Sequence, residues 1–193
     1  MGQSASIDEC REITEDRARL LCFDELFNTP VHSINPDESV VQPKELVQMK
    51  PQEWFDAWKK DQTRVDGDKD FVMTITPGNF QDSIFLTKPV EDMGLIVLSC
   101  VDKISRVEFM LNQPLKDGVL LVTIDGQSLS QKKWLTDDSG YILRMGRGIP
   151  SIDEMKNMLG QESVVINLGK VVSSLSTATL AEKIKPLRNS CRW

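Results

Sequence analysis

Four cysteines constrain this chain more than any other feature of its sequence. The 193 residues carry Cys10 and Cys22 near the start, Cys100 near the middle and Cys191 third from the end. Four cysteines allow three pairings. We favour Cys10–Cys22 with Cys100–Cys191, because it joins two neighbours in sequence and two residues of predicted core elements. A zinc site is the alternative, but no two cysteines have the C-x₂₋₄-C spacing and the single histidine, His32, lies in a predicted coil.

Paired cysteines indicate a protein that resides outside the reducing cytosol, in a cell envelope or secreted. The opening residues Met1 to Ser4 lack the charged and apolar regions of a secretory signal. We therefore interpret the sequence as a mature exported form from which a signal peptide has been removed. A cytosolic protein with four free thiols is the alternative.

The bulk composition excludes several classes of partner. The formal net charge of −6 disfavours binding to nucleic acid and to anionic lipid, because phosphates would be repelled. No apolar run approaches the roughly 18 residues of a membrane helix, so we expect no integral membrane segment. The sequence does not indicate an oligomeric state.

The N-terminal segment, residues 1–28, is predicted to be a helical hairpin. Ser6 and Glu9 form a capping box that begins a helix. One continuous helix would separate Cys10 from Cys22 by about 18 Å, whereas a disulfide tolerates less than about 7 Å between Cα atoms. If these two cysteines pair, the helix must break, and the polar run at residues 14–17 is the expected turn.

Residues 29–69 are predicted to be a proline-rich linker with one short helix. The helix follows Pro51 and carries Trp54, Phe55 and Trp58 on one face, with lysines at its C-terminal end. Three aromatic side chains on so short a helix must be buried. Packing on the main domain is the favoured interpretation, and an exposed partner-binding helix is the alternative.

Residues 70–193 form the third predicted domain, an antiparallel β-rich domain with two helices. Residues 95–100 are apolar on both faces, which is typical of a central strand. Residues 106–111 alternate, so we expect one wet face there. Asp125-Gly126 indicates a tight hairpin, and residues 138–140 indicate a further turn. The remaining predicted strands cover residues 71–76, 83–87, 119–124, a return strand towards Trp134, 141–145, 163–168 and 170–174.

Two helices complete the predicted α+β fold. Ser151 and Glu154 form a second capping box. The C-terminal helix places four residues on one apolar stripe that faces the sheet, with a kink or fresh turn expected at Pro186. These four are Leu180, Ile184, Leu187 and Cys191. The expected architecture is a disulfide-stapled N-terminal helical hairpin plus an antiparallel sheet or sandwich closed by a C-terminal helix.

Candidate catalytic and metal sites are weak. No G-x-S-x-G motif accompanies His32, and the acid pairs Asp137-Asp138 and Glu91-Asp92 are typical of polar surface loops. Residues 66–70 begin like a calcium loop but lack its glycine and its final glutamate. We therefore expect no catalytic residues, metal or cofactor. The speculative partner-binding residues are Trp54, Phe55, Trp58, Trp134 and Tyr141, with core packing the favoured alternative for each.

Motifs at both ends resemble those of a known family. Residues 10–24 match the pattern C-x-x-I…R-L-x-C-[YF]-D of certain exported bacterial proteins, and residues 187–193 match the L-R-x-x-C-x-W terminus of the TagO/VasI family of type VI secretion systems. Asp82 to Leu86 resembles that family's D-x-x-x-L strand, and Leu98 to Cys100 resembles its L-x-C strand.

The resemblance implies a periplasmic accessory protein of a Gram-negative bacterium, not an enzyme. Its implied partners are protein components of the secretion system's envelope complex, and its implied action is recognition during assembly or triggering. Two alternatives remain from the residues alone. They are an envelope hydrolase acting on peptidoglycan and an inhibitor or immunity-type binding module.

Overall fold

The computed structural model describes residues 6–27, 49–65, 67–78, 81–116, 118–127 and 129–193. The chain divides into two compact units, residues 1–46 and residues 47–193. Residues 28–48, which include His32 and the first part of the predicted proline-rich linker, lie outside the described residues. The Trp-containing helix was predicted within the linker region. It belongs to the same compact unit as the sheet.

The first unit contains a stapled pair of short helices, α1 (Ile7–Glu12) and α2 (Asp16–Leu26). The predicted capping box is confirmed, since the Ser6 side chain accepts a hydrogen bond from the Glu9 backbone and the Glu9 carboxylate accepts one from the Ser6 backbone. The chain turns between the helices, where Glu15 caps α2. Cys10 and Cys22 are thereby brought to a Cα–Cα distance of 5.5 Å and form the predicted disulfide.

The second unit contains one nine-stranded sheet and four helices among the described residues. Its helices are α3 (Gln52–Asp61), α4 (Ile149–Met158), α5 (Leu180–Lys183) and α6 (Lys185–Cys191). Its strands are β1 (Val72–Thr76), β2 (Ser83–Val90), β3 (Gly94–Val101), β4 (Ile104–Leu111), β5 (Val119–Asp125), β6 (Leu129–Thr136), β7 (Ile142–Arg144), β8 (Ser163–Leu168) and β9 (Val171–Ser176).

All neighbouring strands pair antiparallel, in the order β1-β2-β3-β4-β7-β6-β5-β8-β9. The α+β prediction is confirmed, and of the two expected arrangements, sheet or sandwich, the described strands form a single sheet. β3 is buried along almost its whole length, as its continuous apolar sequence predicts. The Lys88 side chain of β2 donates to the Ser176 carbonyl of β9 at 2.8 Å, so the two ends of the sheet approach each other.

The inner face of the sheet carries the main core. This is the face that bears Leu98, Val107 and Phe109, and helices α4, α5 and α6 supply apolar side chains to it. Trp134 of β6 packs against Phe109, with ring centroids 5.3 Å apart, and is only 1% exposed. Twenty-five buried apolar side chains of the described residues thus share one cluster.

The C-terminal helical segment is fixed to the sheet as its apolar stripe predicts. Leu180, Ile184 and Leu187 are fully buried, and Cys191 bonds to Cys100 of β3 across a Cα–Cα distance of 5.8 Å. The expected interruption is confirmed, because α5 ends at Lys183 and α6 starts anew with Pro186 in its first turn.

The predicted capping box at Ser151 is wrong. Helix α4 begins two residues earlier, after Gly148, and the Ser151 hydroxyl donates to the Gly146 carbonyl instead. Glu154 is buried and binds Lys132 of β6 at 3.1 Å. The predicted hairpin at Gly126 does join β5 to β6, and a Cβ there would lie 2.4 Å from the Asn157 carbonyl oxygen.

Candidate functional site

Helix α3 covers part of the outer face of the sheet, the face opposite the main core. Pro51 precedes the helix, and the side chains of Trp54, Ala57 and Trp58 point at the sheet. Phe55 points away from the sheet and is 52% exposed, in edge contact with the Trp54 ring. The prediction that all three aromatic residues share one face is therefore correct for two of them. The side chains beneath the helix are Phe85, Leu95, Val97, Met110 and Ile142.

Hydrogen bonds fasten α3 to the sheet at both ends. At its first turn the Trp54 indole N–H donates to the Leu111 carbonyl at 2.9 Å. At its last turn the buried Asp61 carboxylate accepts a hydrogen bond from the Thr87 hydroxyl at 2.9 Å and pairs with Arg64 at 2.6 Å. The helix is thus held in one position by groups that would be costly to leave unpaired.

A charged cluster lies under the first turn of α3. The Arg144 guanidinium of β7 donates to Glu108 of β4 at 2.9 Å and also pairs with Glu53 of the helix. Burial raises the pKa of Glu108, and the nearby Glu53 carboxylate raises it further, while Arg144 and Arg106 oppose the shift. Arg144 therefore compensates two carboxylates, one of which is almost fully buried.

The prediction that β4 has a wet face is wrong, because α3 covers that face. Glu108 is 6% exposed and Met110 is 1% exposed. The alternation of polar and apolar residues in β4 remains, but Glu108 meets the opposite charge of Arg144, and a helix that is remote in sequence covers Met110. On this face of β4, Arg106 keeps intermediate exposure, and Ile104 at the start of the strand is exposed.

An open cleft of about 310 Å³ runs along the other flank of α3. Arg106 and Lys60 supply its positive charges. The buried Nε of Arg106 has no hydrogen-bond partner, and no ion pair joins this guanidinium to a described carboxylate. Sequence reasoning missed both residues as site residues, although Arg106 begins the alternating stretch of residues 106–111. The cleft is lined by Gln52, Glu53, Asp56, Ala57, Lys60, Phe85, Val97, Ser99, Val101, Arg106, Glu108 and Met110.

The remaining predicted partner-binding residues lie apart from this cleft. Trp134 belongs to the inner core and is not available to a partner in the folded domain. Tyr141 is partly buried, and the Lys50 ammonium lies 5.5 Å from its ring and 3.6 Å from the Trp54 ring. Phe55 is the one predicted aromatic residue that the structure places mostly in solvent.

The acid pairs considered for hydrolysis occupy turns. The Asp137 carboxylate accepts hydrogen bonds from the Ser139 hydroxyl and the Ile142 backbone, so it stabilises the turn before β7. Its neighbour Asp138 is exposed, as are Glu91 and Asp92. Among the described residues, no group of three or more His, Cys, Asp or Glu side chains is placed to hold a metal ion.

A larger cavity of about 530 Å³ lies where β2 approaches β9. Its walls include Lys88, which is 6% exposed and whose pKa is lowered by burial. Arg64 also lines this cavity, but its guanidinium already donates to Asp61 and to backbone carbonyls, Thr87 among them. Because Lys88 and Arg64 already bind other groups of the protein, this cavity is a weaker candidate site than the cleft beside α3.

Comparison with known proteins identifies one family. The family model described as "Type VI secretion system VasI, EvfG, VC_A0118" matches residues 9–193, which is nearly the whole chain. Neither the curated proteins nor the solved structures contain a match. No helix within the described part of the chain is long and apolar enough to cross a membrane.

Proposed function

The chain belongs to the VasI family of type VI secretion systems, and from this membership we propose that it is a non-enzymatic accessory protein of such a system. It acts in the periplasm by binding protein components of the envelope complex during assembly or triggering. The family match over residues 9–193 is the observation that carries the proposal.

The disulfides support the proposed location. The structure contains two disulfide bonds, Cys10–Cys22 in the first unit and Cys100–Cys191 in the second. Such bonds form and persist in the periplasm, whereas cytosolic thiols are kept reduced. Cell fractionation should recover the oxidised protein with periplasmic markers, and recovery of four reduced thiols from the cytosol would contradict this location.

The surface formed by α3 and its cleft supports recognition as the mode of action. The helix is fixed at both ends, so its exposed side is presented in one conformation. Phe55 is a large apolar side chain on that side, and aromatic residues are enriched at the centres of protein interfaces. We refer to Phe55, which does not line the cleft, together with the cleft residues Lys60 and Arg106 as the α3 surface.

Affinity capture tests the proposal. Tagged, oxidised protein is incubated with envelope extracts of the parent strain and of a strain that lacks the secretion gene cluster. We expect secretion components to be captured from the first extract and capture to fall at least tenfold with Phe55→Ser. Leu129→Ser, which changes an exposed side chain elsewhere on the sheet, is the matched control. Capture of no secretion component, or equal capture by both variants and wild type, would contradict the proposal.

The proposal that the protein is not an enzyme has its own test. The purified chain is incubated with peptidoglycan sacculi, and released fragments are quantified by chromatography. We expect no release above that of a heat-unfolded sample. Fragment release that disappears in Asp137→Asn or Asp138→Asn would instead establish the hydrolase alternative.

A further inference from the structure

We propose that the cleft beside α3 binds an extended segment of a partner protein through a carboxylate of that segment. Arg106 and Lys60 receive the carboxylate, and a neighbouring apolar side chain of the segment lies on the cleft floor. This inference rests on the proposed function, since it names the chemistry of the partner at the α3 surface.

The charge of Arg106 is the first reason. The chain carries 29 acidic and 23 basic residues, yet no described carboxylate forms an ion pair with this guanidinium. Its influence lowers the pKa of Glu108, but the Glu108 carboxylate is hydrogen-bonded to Arg144. The buried Nε of Arg106 has no acceptor either. No hydrogen bond joins the Arg106 guanidinium to a described residue, and the side chain is only partly buried, so its accessible N–H groups can receive a carboxylate.

Lys60 supplies a second positive charge on the opposite wall of the cleft. Its ammonium group contacts the Asp56 carbonyl at 3.4 Å and lies 4.5 Å from the centroid of the Phe85 ring. Lys60 forms no ion pair with a described carboxylate. The Asp56 carboxylate accepts a hydrogen bond from the Gln52 side chain at 2.9 Å instead. Neither cation forms an ion pair with a described carboxylate, although Glu53, Asp56 and Glu108 also line the cleft.

The floor and size of the cleft favour a polypeptide segment over a free anion. Phe85, Val97 and Val101 give the floor an apolar surface, and about 310 Å³ accommodates two side chains of a peptide but little more. The acidic side chains on the rim, Glu53 and Asp56, disfavour a multiply charged phosphate. A single carboxylate beside an apolar side chain matches both the charge and the surface.

Nuclear magnetic resonance titration of the full oxidised chain tests this inference. The probes are the peptide acetyl-Leu-Glu-Leu-amide, its glutamine analogue acetyl-Leu-Gln-Leu-amide, and sodium acetate. We expect the glutamate peptide to shift the Arg106 side-chain N–H resonance and to bind about tenfold or more tightly than the glutamine peptide and acetate.

Variants assign the binding to the cleft. Arg106→Gln should weaken the glutamate peptide about tenfold or more, and Lys60→Gln should weaken it to a smaller extent because its ammonium group is more hydrated. Lys133→Gln, which removes an exposed cation on the same face of the sheet, is the control and should bind as wild type. If Arg106→Gln does not fold, Lys60→Gln decides the question.

Three outcomes would overturn the inference: equal binding of the two peptides, binding of acetate as tight as that of the glutamate peptide, or wild-type affinity in both cleft variants. None of them depends on the secretion system. Failure of the capture experiment with intact peptide binding would overturn the proposed function alone.

Discussion

The outer face of the sheet has two halves that differ in what covers them. In the covered half, strands β2, β3, β4 and β7 lie under α3, and Leu95, Val97, Met110 and Ile142 are at most 2% exposed. In the bare half, strands β5, β6, β8 and β9 present apolar side chains that are 44–72% exposed. Among the described residues, the exposed large apolar side chains of the bare half are Leu121, Leu129, Leu135, Val165 and Val172.

The difference shows that an element distant in sequence, here helix α3, determines which part of a sheet face is buried. Both halves mix charged and apolar residues on the outer face. In the covered half the charges are compensated, since Arg144 binds Glu108 and Glu53. In the bare half Lys133 and Asp125 remain in water. Burying a charge is costly, and in the covered half the Arg144 guanidinium offsets that cost for Glu108.

Removing Arg144 should produce the largest contrast between the halves. Arg144→Leu leaves the Glu108 carboxylate buried without its partner, so we expect the free energy of unfolding to fall by about 3 kcal/mol. Lys133→Leu in the bare half should change it by less than about 0.5 kcal/mol. Urea denaturation of both variants measures this. Equal losses would mean that the charged cluster under α3 contributes no more than a surface charge.

Truncating an aromatic anchor of α3 should have the next largest effect. Trp54→Ala removes packing on the sheet and the hydrogen bond to the Leu111 carbonyl, and we expect a loss of about 2 kcal/mol because the side chain is only partly buried. Leu129→Ala in the bare half should cost less than about 0.5 kcal/mol. A comparable loss from the exposed leucine would contradict the distinction between the halves.

The pH dependence of stability should show the smallest difference. The pKa of Glu108 is raised above its ordinary value of 4.5, so the folded state binds this proton more tightly than the unfolded state does. The resulting stabilisation is fully present below pH 4.5 and is lost as the pH rises through the raised folded-state pKa.

Glu108→Gln removes this titration. The free energy of unfolding of wild type should therefore decrease relative to that of Glu108→Gln as the pH rises from about 4 to 7. Leu129→Ala, which removes no titratable group and lies in the bare half, is the control and should follow the wild-type slope. Parallel curves for wild type and Glu108→Gln would show that Glu108 titrates alike in the folded and unfolded states.

Local signals in the sequence were enough to predict much of this fold. The spacing of Cys10 and Cys22 required a break in a helix, and the break is present. The stripe from Leu180 to Cys191 predicted a helix face that reaches the sheet, and the second disulfide lies there. Both predictions depended on helix geometry, which a short stretch of sequence determines.

The errors concern contacts between elements that are distant in sequence. The alternation in β4 predicted a wet face, and nothing near residues 106–111 indicated that Trp54 and Ala57 would cover it. Glu154 was predicted to complete a capping box, but its carboxylate pairs with Lys132 on the β5–β6 hairpin. The α3 cleft could not be predicted for the same reason, because its walls come from residues 52–60 and its floor from residues 85–110.

Complementation of a deletion strain tests the central claim, that the α3 surface is where this protein acts in secretion. Secretion of a substrate of the system is measured with wild type, Arg106→Gln and Lys133→Gln, each at matched periplasmic abundance. We predict that wild type and Lys133→Gln restore secretion and that Arg106→Gln restores less than about a tenth of it. Full restoration by Arg106→Gln, or equal loss with Lys133→Gln, would contradict the account.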